Sequence, residues 1–291
     1  MKPPAFLYAC PRSLEEALDL AAAHGDEAKP LAGGQSLVAM MNLRLAEPKV
    51  LIDLNRVAEL CFVRRENGSL QVGAMTRHRQ MEVSPAVLEA EPLLSRVARE
   101  IGHLAIRNRG TIGGSLAHAD PAAEWPLVAV TLDARLTLCS TAGVRTLRAR
   151  EFFQGPLTTR AAPTEILTAI TFPVAPTASR FAFHELCRRP GDFAIVAVAC
   201  RVTLDAAGVA RGATLGVGGA HGTPFHVPEV ERVLVGSRGE EAVIREAGDA
   251  AARAAEPGGD VHGSADYRRR MVAVLTRRAL GNAFGHPQVP S

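Results

Sequence analysis

Leu31-Ala32-Gly33-Gly34-Gln35-Ser36-Leu37 is the stretch whose reading decides the fold. Before it, Lys29-Pro30-Leu31-Ala32 reads as the end of a short apolar strand. After it, Leu37 to Arg44 carries apolar residues at helical spacing. Two adjacent glycines at a strand-to-helix turn permit positive φ and let the backbone come close to a ligand. The amides of Gly33, Gly34, Gln35 and Ser36 would then converge near a helix N-terminus, a place suited to an anion. A plain turn needs the same glycines, and the stretch alone leaves both readings open. It matches neither G-x-G-x-x-G nor the Walker pattern, so neither of those phosphate-binding folds is licensed.

Outward from this stretch the chain keeps a regular punctuation. Residues 3–10 read as a lead-in with one short strand. Ser13 is a good N-cap, and Glu15 and Glu16 favour the helix dipole. Leu14, Ala17, Leu18 and Ala21 recur at helical spacing until Gly25 stops the helix. Downstream, Lys49-Val50-Leu51-Ile52-Asp53-Leu54 is a continuous apolar run suited to a parallel strand buried on both faces. Residues 1–56 thus read as a β-α-β-type unit with the Gly-Gly loop at its ligand-facing edge. Residues 60–73 read as a hairpin about Asn67-Gly68. A helical stretch opens at Thr76, and a second runs from Pro92 through Ile101 to Leu104.

Composition narrows the function classes. A chain of 291 residues holds one large domain or two to three smaller ones. A hydrophobic fraction of 47% and a charged fraction of 22% are those of an ordinary soluble protein. The net charge of +3 is too small to point to nucleic acid. No apolar run approaches the ~18 residues of a membrane span. The first residues lack an apolar signal core, so the expected compartment is the cytoplasm. Cys10, Cys61, Cys139, Cys187 and Cys200 are odd in number, scattered and without C-x-x-C. That argues against a disulfide framework, a zinc site or an iron–sulfur cluster in this chain, and most should be buried thiols. No Ser-His-Asp, paired-carboxylate or metal constellation stands out, so no catalytic residue and no metal ligand is assigned.

A second glycine loop comes at Ile106-Arg107-Asn108-Arg109-Gly110-Thr111-Ile112-Gly113-Gly114-Ser115-Leu116-Ala117-His118-Ala119-Asp120-Pro121. It repeats the logic of the first: exposed amides, hydroxyls on Thr111 and Ser115, and a helix-like segment over 122–132. Two such loops in separate elements suit a pyrophosphate gripped from both sides. Together the segments at 32–36 and 107–115 resemble the two FAD-binding loops of the molybdenum hydroxylase flavoprotein family. That family comprises the medium subunits of enzymes similar to aerobic carbon monoxide dehydrogenase and the FAD domain of xanthine dehydrogenase. The resemblance runs over nearly the whole chain, and the second loop with His118-Ala119-Asp120-Pro121 is its most specific part.

The resemblance implies that Ala32, Gly33, Gly34, Gln35, Ser36 and Leu37 line the FAD diphosphate and ribityl region. Thr111, Gly113, Gly114 and Ser115 would form the second wall, and Asp120 would bond to the adenosine or ribityl side. Residue type agrees, since amides and hydroxyls suit an anion and a carboxylate suits sugar hydroxyls. Asp120 also reads as an Asp-Pro turn, and His118 reads equally as a flavin contact or as a capping or core histidine. By resemblance Leu167 lies near the isoalloxazine ring; unaided, it is a strand core residue. The segment Arg188 to Val198 is similar to one in which an aromatic reaches back over the flavin. Phe193 fits that aromatic, with Asp192 before it and Arg188 as a basic residue near the cofactor. Phe193 reads as well as the start of a buried strand. Arg107 and Arg109 read as surface charges.

Pro173 and Pro176 mark the best domain boundary. The expected fold class is α+β. A two-lobed FAD-binding domain (a small β-α-β unit, 1–56, and a larger α+β lobe, 57–176) precedes a small α+β C-terminal flavoprotein domain, 177–286. Residues 287–291 would be a loose tail. The last helix, opening near Tyr267, should present a solvated basic face. The resemblance further implies an electron-transfer subunit of a heterotrimeric molybdenum hydroxylase, assembled as a dimer of heterotrimers. A large subunit would hold a molybdenum–pterin centre and a small one two [2Fe–2S] clusters, with NAD, oxygen or a quinone as final acceptor. Five dispersed cysteines leave no place for the [4Fe–4S] loop of relatives resembling hydroxybenzoyl-CoA reductase. Gln35 after Gly-Gly gives no support to a covalently bound flavin. The rival readings are a free-standing flavin-dependent reductase and a cofactor-free assembly or sensor subunit.

Overall fold

Three main sheets, each faced by its own helices, and one two-stranded ribbon carry the described residues. The computed structural model describes residues 2–286, and the tail expected at 287–291 lies outside them. In the first lobe β1 (Leu7–Ala9), α1 (Leu14–His24), β2 (Ala28–Leu31), α2 (Leu37–Asn42) and β3 (Val50–Asp53) follow one another. The strands form a parallel sheet in the order β1-β3-β2, so the apolar run at 50–53 is central and buried throughout. Ser13 caps α1 by accepting from the Glu16 amide, and Gly25 at φ 48° ends it. Ala17 and Ala21 face the core of this lobe with Val50, Ile52, Leu54 and Val57.

The second lobe opens with the hairpin β4 (Val63–Glu66) and β5 (Ser69–Gly73). Asn67 and Gly68 both have positive φ, 49° and 72°, as the tight hairpin turn requires. Six helices follow: α3 (His78–Val83), α4 (Pro85–Ala90), α5 (Pro92–Glu100), α6 (Leu104–Arg109), α7 (Ile112–His118) and α8 (Glu124–Thr131). The single helix expected from Pro92 through Leu104 is two, because Gly102 at φ 48° breaks it. The segment expected to be helical over 122–132 becomes so only at Glu124, after an Asp-Pro turn. The lobe closes with β6 (Arg135–Ser140), β7 (Gly143–Arg148), α9 (Ala149–Phe152), β8 (Phe153–Gly155), β9 (Thr158–Thr159) and β10 (Ile166–Pro173). Its main sheet is antiparallel in the order β4-β5-β10-β6-β7. Trp125, Phe152, Phe172, Leu93, Leu94 and Leu116 fill its core.

The third unit is a four-stranded antiparallel sheet of β11 (Ser179–Leu186), β12 (Val196–Leu204), β13 (Ala210–Gly218) and β14 (Phe225–His226). The helices α10 (Pro228–Leu234), α11 (Glu241–Ala254) and α12 (Ala265–Phe284) cover it. Every residue of α8 is buried, wedged between the second lobe and β13. The Thr214 hydroxyl donates to the Thr131 carbonyl at 2.7 Å, and a Cβ on Gly216 would collide with Thr131 Oγ1. Glu91, fully buried, pairs with Arg201 of β12 at 2.5 Å. The second lobe and the third unit are therefore packed as neighbours through polar and apolar contacts alike.

Two expectations about side chains change. Cys139 and Cys200 alone are buried, while Cys10 and Cys187 are half-buried and Cys61 exposed. On α12 the basic face is not uniformly solvated, because Arg268 is buried at 7% exposure. Its guanidinium donates to the Ile195 carbonyl at 2.5 Å and the Gly219 carbonyl at 2.8 Å, and it pairs with Asp260 at 2.7 Å.

Candidate functional site

The first glycine loop leaves the C-terminal end of β2 in a parallel sheet, the edge at which such sheets present ligands. Gly34 takes φ +73°, a conformation a side chain would strain. Gly33 is buried, and a Cβ there would sit 2.4 Å from the Arg109 carbonyl oxygen and 2.7 Å from Gly110 Cα. Among the described residues, the amides of Gly33, Gly34, Gln35 and Ser36 donate to no backbone oxygen. Ser36 opens α2 with no side-chain cap bond, and the exposed Gln35 folds its amide back to the Gly33 carbonyl at 3.3 Å. Ala32 and Leu37 are half-buried on either side.

The second loop is built differently. Residues 112–118 are helical, and Thr111 is the N-cap, its buried hydroxyl accepting from the Gly114 amide at 3.0 Å. The Ile112 amide donates to the Thr76 carbonyl, the Gly113 amide to the Ala74 carbonyl and the Ser115 amide to the Thr111 carbonyl. The exposed amides expected here are thus engaged in holding the loop. Gly113 is needed for close approach, since its Cβ would stand 2.4 Å from Ala74 Cβ and 2.6 Å from the Ala74 carbonyl. Gly114 faces the first loop, with Ala32 Cβ 3.2 Å from the position of an added Cβ. Ser115 is half-buried.

The structure therefore brings Ala32–Gly33 against Gly110–Gly114, and no bulk lies between the loops. Beneath them His78 donates its backbone amide to the Gly110 carbonyl. Its Nδ1 accepts from Trp125 Nε1 at 2.9 Å, which leaves the ring proton on Nε2 beside Gly110. Burial, then the charges of Arg77 and Arg107, push the His78 pKa down to about 3, so the ring is neutral. Sequence reading missed this support, and it also missed Asp53, Asn55 and Arg77. The Asn55 side-chain amide donates to the Ala32 carbonyl at 2.9 Å. Arg77 donates to the Arg109 carbonyl and, at 2.5 Å, to Asn55 Oδ1. Asp53 accepts from Tyr8 and from both Asn55 nitrogens. Burial alone would raise its pKa, but those donors and the Arg109 charge hold it below the ordinary carboxylate range. The available signal was positional, since Asp53 and Asn55 stand at the carboxyl end of the central parallel strand.

Asp120 Oδ1 accepts from the Ala122 amide at 2.8 Å, as an Asp-Pro turn requires, leaving Oδ2 available. His118 is half-buried at the last turn of α7, before Ala119 in the left-handed region at φ 55°. Leu167 is buried in β10 beside a bulge, among core side chains of the second lobe. Arg188, Asp192 and Phe193 lie on the loop between β11 and β12 and are exposed, Phe193 at 59%. Phe193 is thus not the start of a buried strand, which begins at Val196. The Ile195 amide closes the loop's neck on the Leu186 carbonyl at 2.7 Å. Gly191, at φ +86°, rests against Gly102 and His103. Among the described residues, no hydrogen bond or ion pair joins Leu167, Arg188, Asp192 or Phe193 to the glycine loops. Nor does any group of three or more His, Cys, Asp and Glu side chains there suit a metal ion.

The fold, compared with known proteins, is that of an FAD-binding flavoprotein of an oxidoreductase. Residues 4–175 match the family described as the FAD binding domain in molybdopterin dehydrogenase. Residues 181–283 match the CO dehydrogenase flavoprotein C-terminal domain. The chain belongs to this molybdenum hydroxylase flavoprotein family, and the cofactor of its first domain is FAD. It is 41% identical to the 6-hydroxypseudooxynicotine dehydrogenase complex subunit alpha of Paenarthrobacter nicotinovorans, over 98% of this chain and 96% of that one. Among solved structures it is similar to the carbon monoxide dehydrogenase of Hydrogenophaga pseudoflava, with a TM-score of 0.95 and 35% identity over 98% of this chain and 99% of that one. Quinoline 2-oxidoreductase from Pseudomonas putida 86 aligns with a TM-score of 0.93 and 36% identity, covering 98% of each chain. No helix among the described residues is long and apolar enough to cross a membrane.

Proposed function

We propose that this chain is the electron-transfer subunit of a molybdenum-containing dehydrogenase, and that the two glycine loops hold its FAD by the diphosphate. The carrying observation is the direct apposition of Ala32–Gly33 with Gly110–Gly114, beside four loop amides that donate to no backbone oxygen among the described residues. In this reading Gly33 to Ser36 donate to the phosphate oxygens, and Ala32 and Leu37 flank them. Thr111, Gly113, Gly114 and Ser115 supply a close, rigid wall whose glycines leave room for the cofactor. Asp120 Oδ2 accepts from a sugar hydroxyl, and His118 borders the flavin. Leu167 and the exposed loop of Arg188, Asp192 and Phe193 serve the ring, where Phe193 shields one face from solvent. FAD held there would supply the redox chemistry of electron transfer, and the protein's part is to position it and to control access to the ring.

The relatives are named as medium chains or complex subunits, which supports assembly with other chains. We infer a large molybdenum–pterin subunit and a small [2Fe–2S] subunit as partners, in a dimer of heterotrimers, with NAD, oxygen or a quinone as acceptor. Each of the three main sheets closes within its own segment, which supports divisions near 56 and 176. The test is the visible spectrum of the purified full chain with mass analysis of what acid releases. A flavin spectrum with released FAD is expected. A colourless chain that takes up no added FAD would overturn the cofactor reading, and Gly114→Asp with full flavin would overturn the placement.

A further inference from the structure

The two loops belong to separate lobes, one leaving the parallel sheet of the first and one lying in the helical segment of the second. Nothing in either sheet's own hydrogen bonding sets the distance between them. Met75 and Ile166 pack into the core of the first lobe and set the lobes side by side, and polar side chains tie the loops themselves. Asn55 Nδ2 reaches the Ala32 carbonyl, the last residue before Gly33. The Arg77 guanidinium reaches the Arg109 carbonyl, the last residue before Gly110, and with its other nitrogen holds Asn55 Oδ1. That Arg109 carbonyl is also the atom against which Gly33 packs. Ala32, Asn55, Arg77, Arg109 and Gly33 thus form one closed circuit across the lobe boundary. Asp53, fixed by Tyr8, anchors Asn55 from below.

We propose that Asn55 and Arg77 are positioning residues that strut the two glycine loops into register and so preorganise the FAD diphosphate site. The inference rests on the diphosphate reading of the loops. A trans peptide points its C=O and its N–H in opposite directions. By holding the Ala32 carbonyl, Asn55 therefore aims the Gly33 amide away from itself and fixes its direction before any ligand arrives. Arg77 does the same for the peptide that meets Gly33 from the other lobe. A planar guanidinium can serve two acceptors at once in fixed geometry, which an ammonium on a flexible stem cannot. When the loops drift apart, apparent FAD affinity falls by the fraction of molecules still in register.

The experiment is a fluorescence titration of the flavin-stripped full chain with FAD, alongside the thermal midpoint of the stripped chain. Asn55→Ala and Arg77→Met should each weaken FAD by about tenfold or more, the effect of losing a hydrogen bond to a charged partner. Arg77→Lys should stay within about threefold of Arg77→Met, since charge returns without the fork. The double variant should be no weaker than the worse single one, because both break one circuit. The stripped chain's midpoint should move little, as Asn55 is exposed and Arg77 only half-buried. Should Arg77→Met fail to fold, Asn55→Asp carries the test: it still accepts from Arg77 but cannot donate to Ala32, and it should lose FAD as Asn55→Ala does.

Unchanged FAD affinity in these variants overturns the proposal. Full rescue by Arg77→Lys also overturns it, leaving only attraction between charges. A fall in the midpoint that accounts for all the lost binding assigns the circuit to general stability instead. Gly114→Asp separates the two readings. If it loses FAD while the strut variants keep it, the strut alone fails; if it keeps FAD, the diphosphate reading fails and the strut with it.

Discussion

The two glycine loops look alike in sequence and are opposites in structure. In the first, the amides of Gly33 to Ser36 have no backbone acceptor among the described residues, and Gly34 uses its freedom of φ. In the second, the amides of Ile112, Gly113, Gly114 and Ser115 are all taken up by Thr76, Ala74 and Thr111. Its glycines have ordinary φ and serve instead to let backbones touch. One loop is a donor surface and the other a clamped wall. A Gly-Gly pair therefore marks close approach, and only the surroundings decide whether a ligand or the protein itself does the approaching.

Gly113→Ala is the strongest test of that contrast. Its Cβ would enter the Ala74 backbone at 2.6 Å, an obstacle that no rotamer can relieve. We expect about 3 kcal/mol or more of lost stability, as overpacking against backbone implies. Denaturant unfolding of the stripped chain measures it, and a loss of under about 1 kcal/mol would break the clamped-wall description.

Glu124 extends the test to the segment that follows the second loop. It opens the wholly buried α8, and burial, aided by Asp120 and Glu100, raises its pKa from 4.5 to about 7. The folded chain thus binds more protons than the unfolded one between those values, so stability falls as pH rises from about 4.5 through about 7. Glu124→Gln should remove the share of that slope that Glu124 carries, leaving the share of Glu185, and make the chain more stable above pH 7 by on the order of 3 kcal/mol. Melting curves across pH check this; an unchanged slope would mean that Glu185, whose pKa is pushed up to about 8 by burial and by Glu124 and Glu100, carries it.

Much of this architecture was legible because its signals are local. The Ser13 cap, the Gly25 stop, the buried run at 50–53 and the Asn67-Gly68 hairpin each depend on near neighbours in sequence. The break at Gly102 was not, since a single glycine in an apolar-periodic run reads as tolerated until its φ is known. The fate of the Ile112 and Gly113 amides depends on carbonyls more than thirty residues upstream, and sequence spacing carries no trace of them. Arg268 looked like one more cation on a basic helix. Its burial follows from the tertiary placement of the Ile195 and Gly219 carbonyls. The Asn55–Arg77 circuit was hidden for the same reason, because its members come from two lobes and lie far apart in sequence.

Gly34→Ala measures the first loop by the same yardstick as Gly113→Ala. At φ +73° the added Cβ is strained, but it meets only the side-chain tips of Val38 and Leu31, at 3.2 and 3.4 Å. The left-handed penalty is about 1 kcal/mol, so stability should fall far less than for Gly113→Ala. FAD affinity should fall more than that, since the free amides lose their shared orientation. Equal losses in both variants would erase the difference between the loops.

Phe193→Ala has the smallest expected effect on the fold and asks whether a third, more distant loop belongs to the same site. Phe193 is 59% exposed, so its removal forfeits little burial, and stability should change by under about 0.5 kcal/mol. Its loop is nevertheless fixed: Ile195 and Leu186 close the neck, Gly191 rests on Gly102, and Arg268 ties Ile195 to Gly219. The Gly219 amide in turn donates to the Pro121 carbonyl, one residue beyond Asp120. An exposed aromatic on so firmly held a loop has little to do for folding. If it covers the flavin, Phe193→Ala should leave FAD binding within about threefold while changing the rate at which reduced flavin is reoxidised. Stopped-flow reoxidation with oxygen and with a quinone reads this directly. Unchanged rates with both acceptors would detach the loop from the cofactor and confine the site to the two glycine loops.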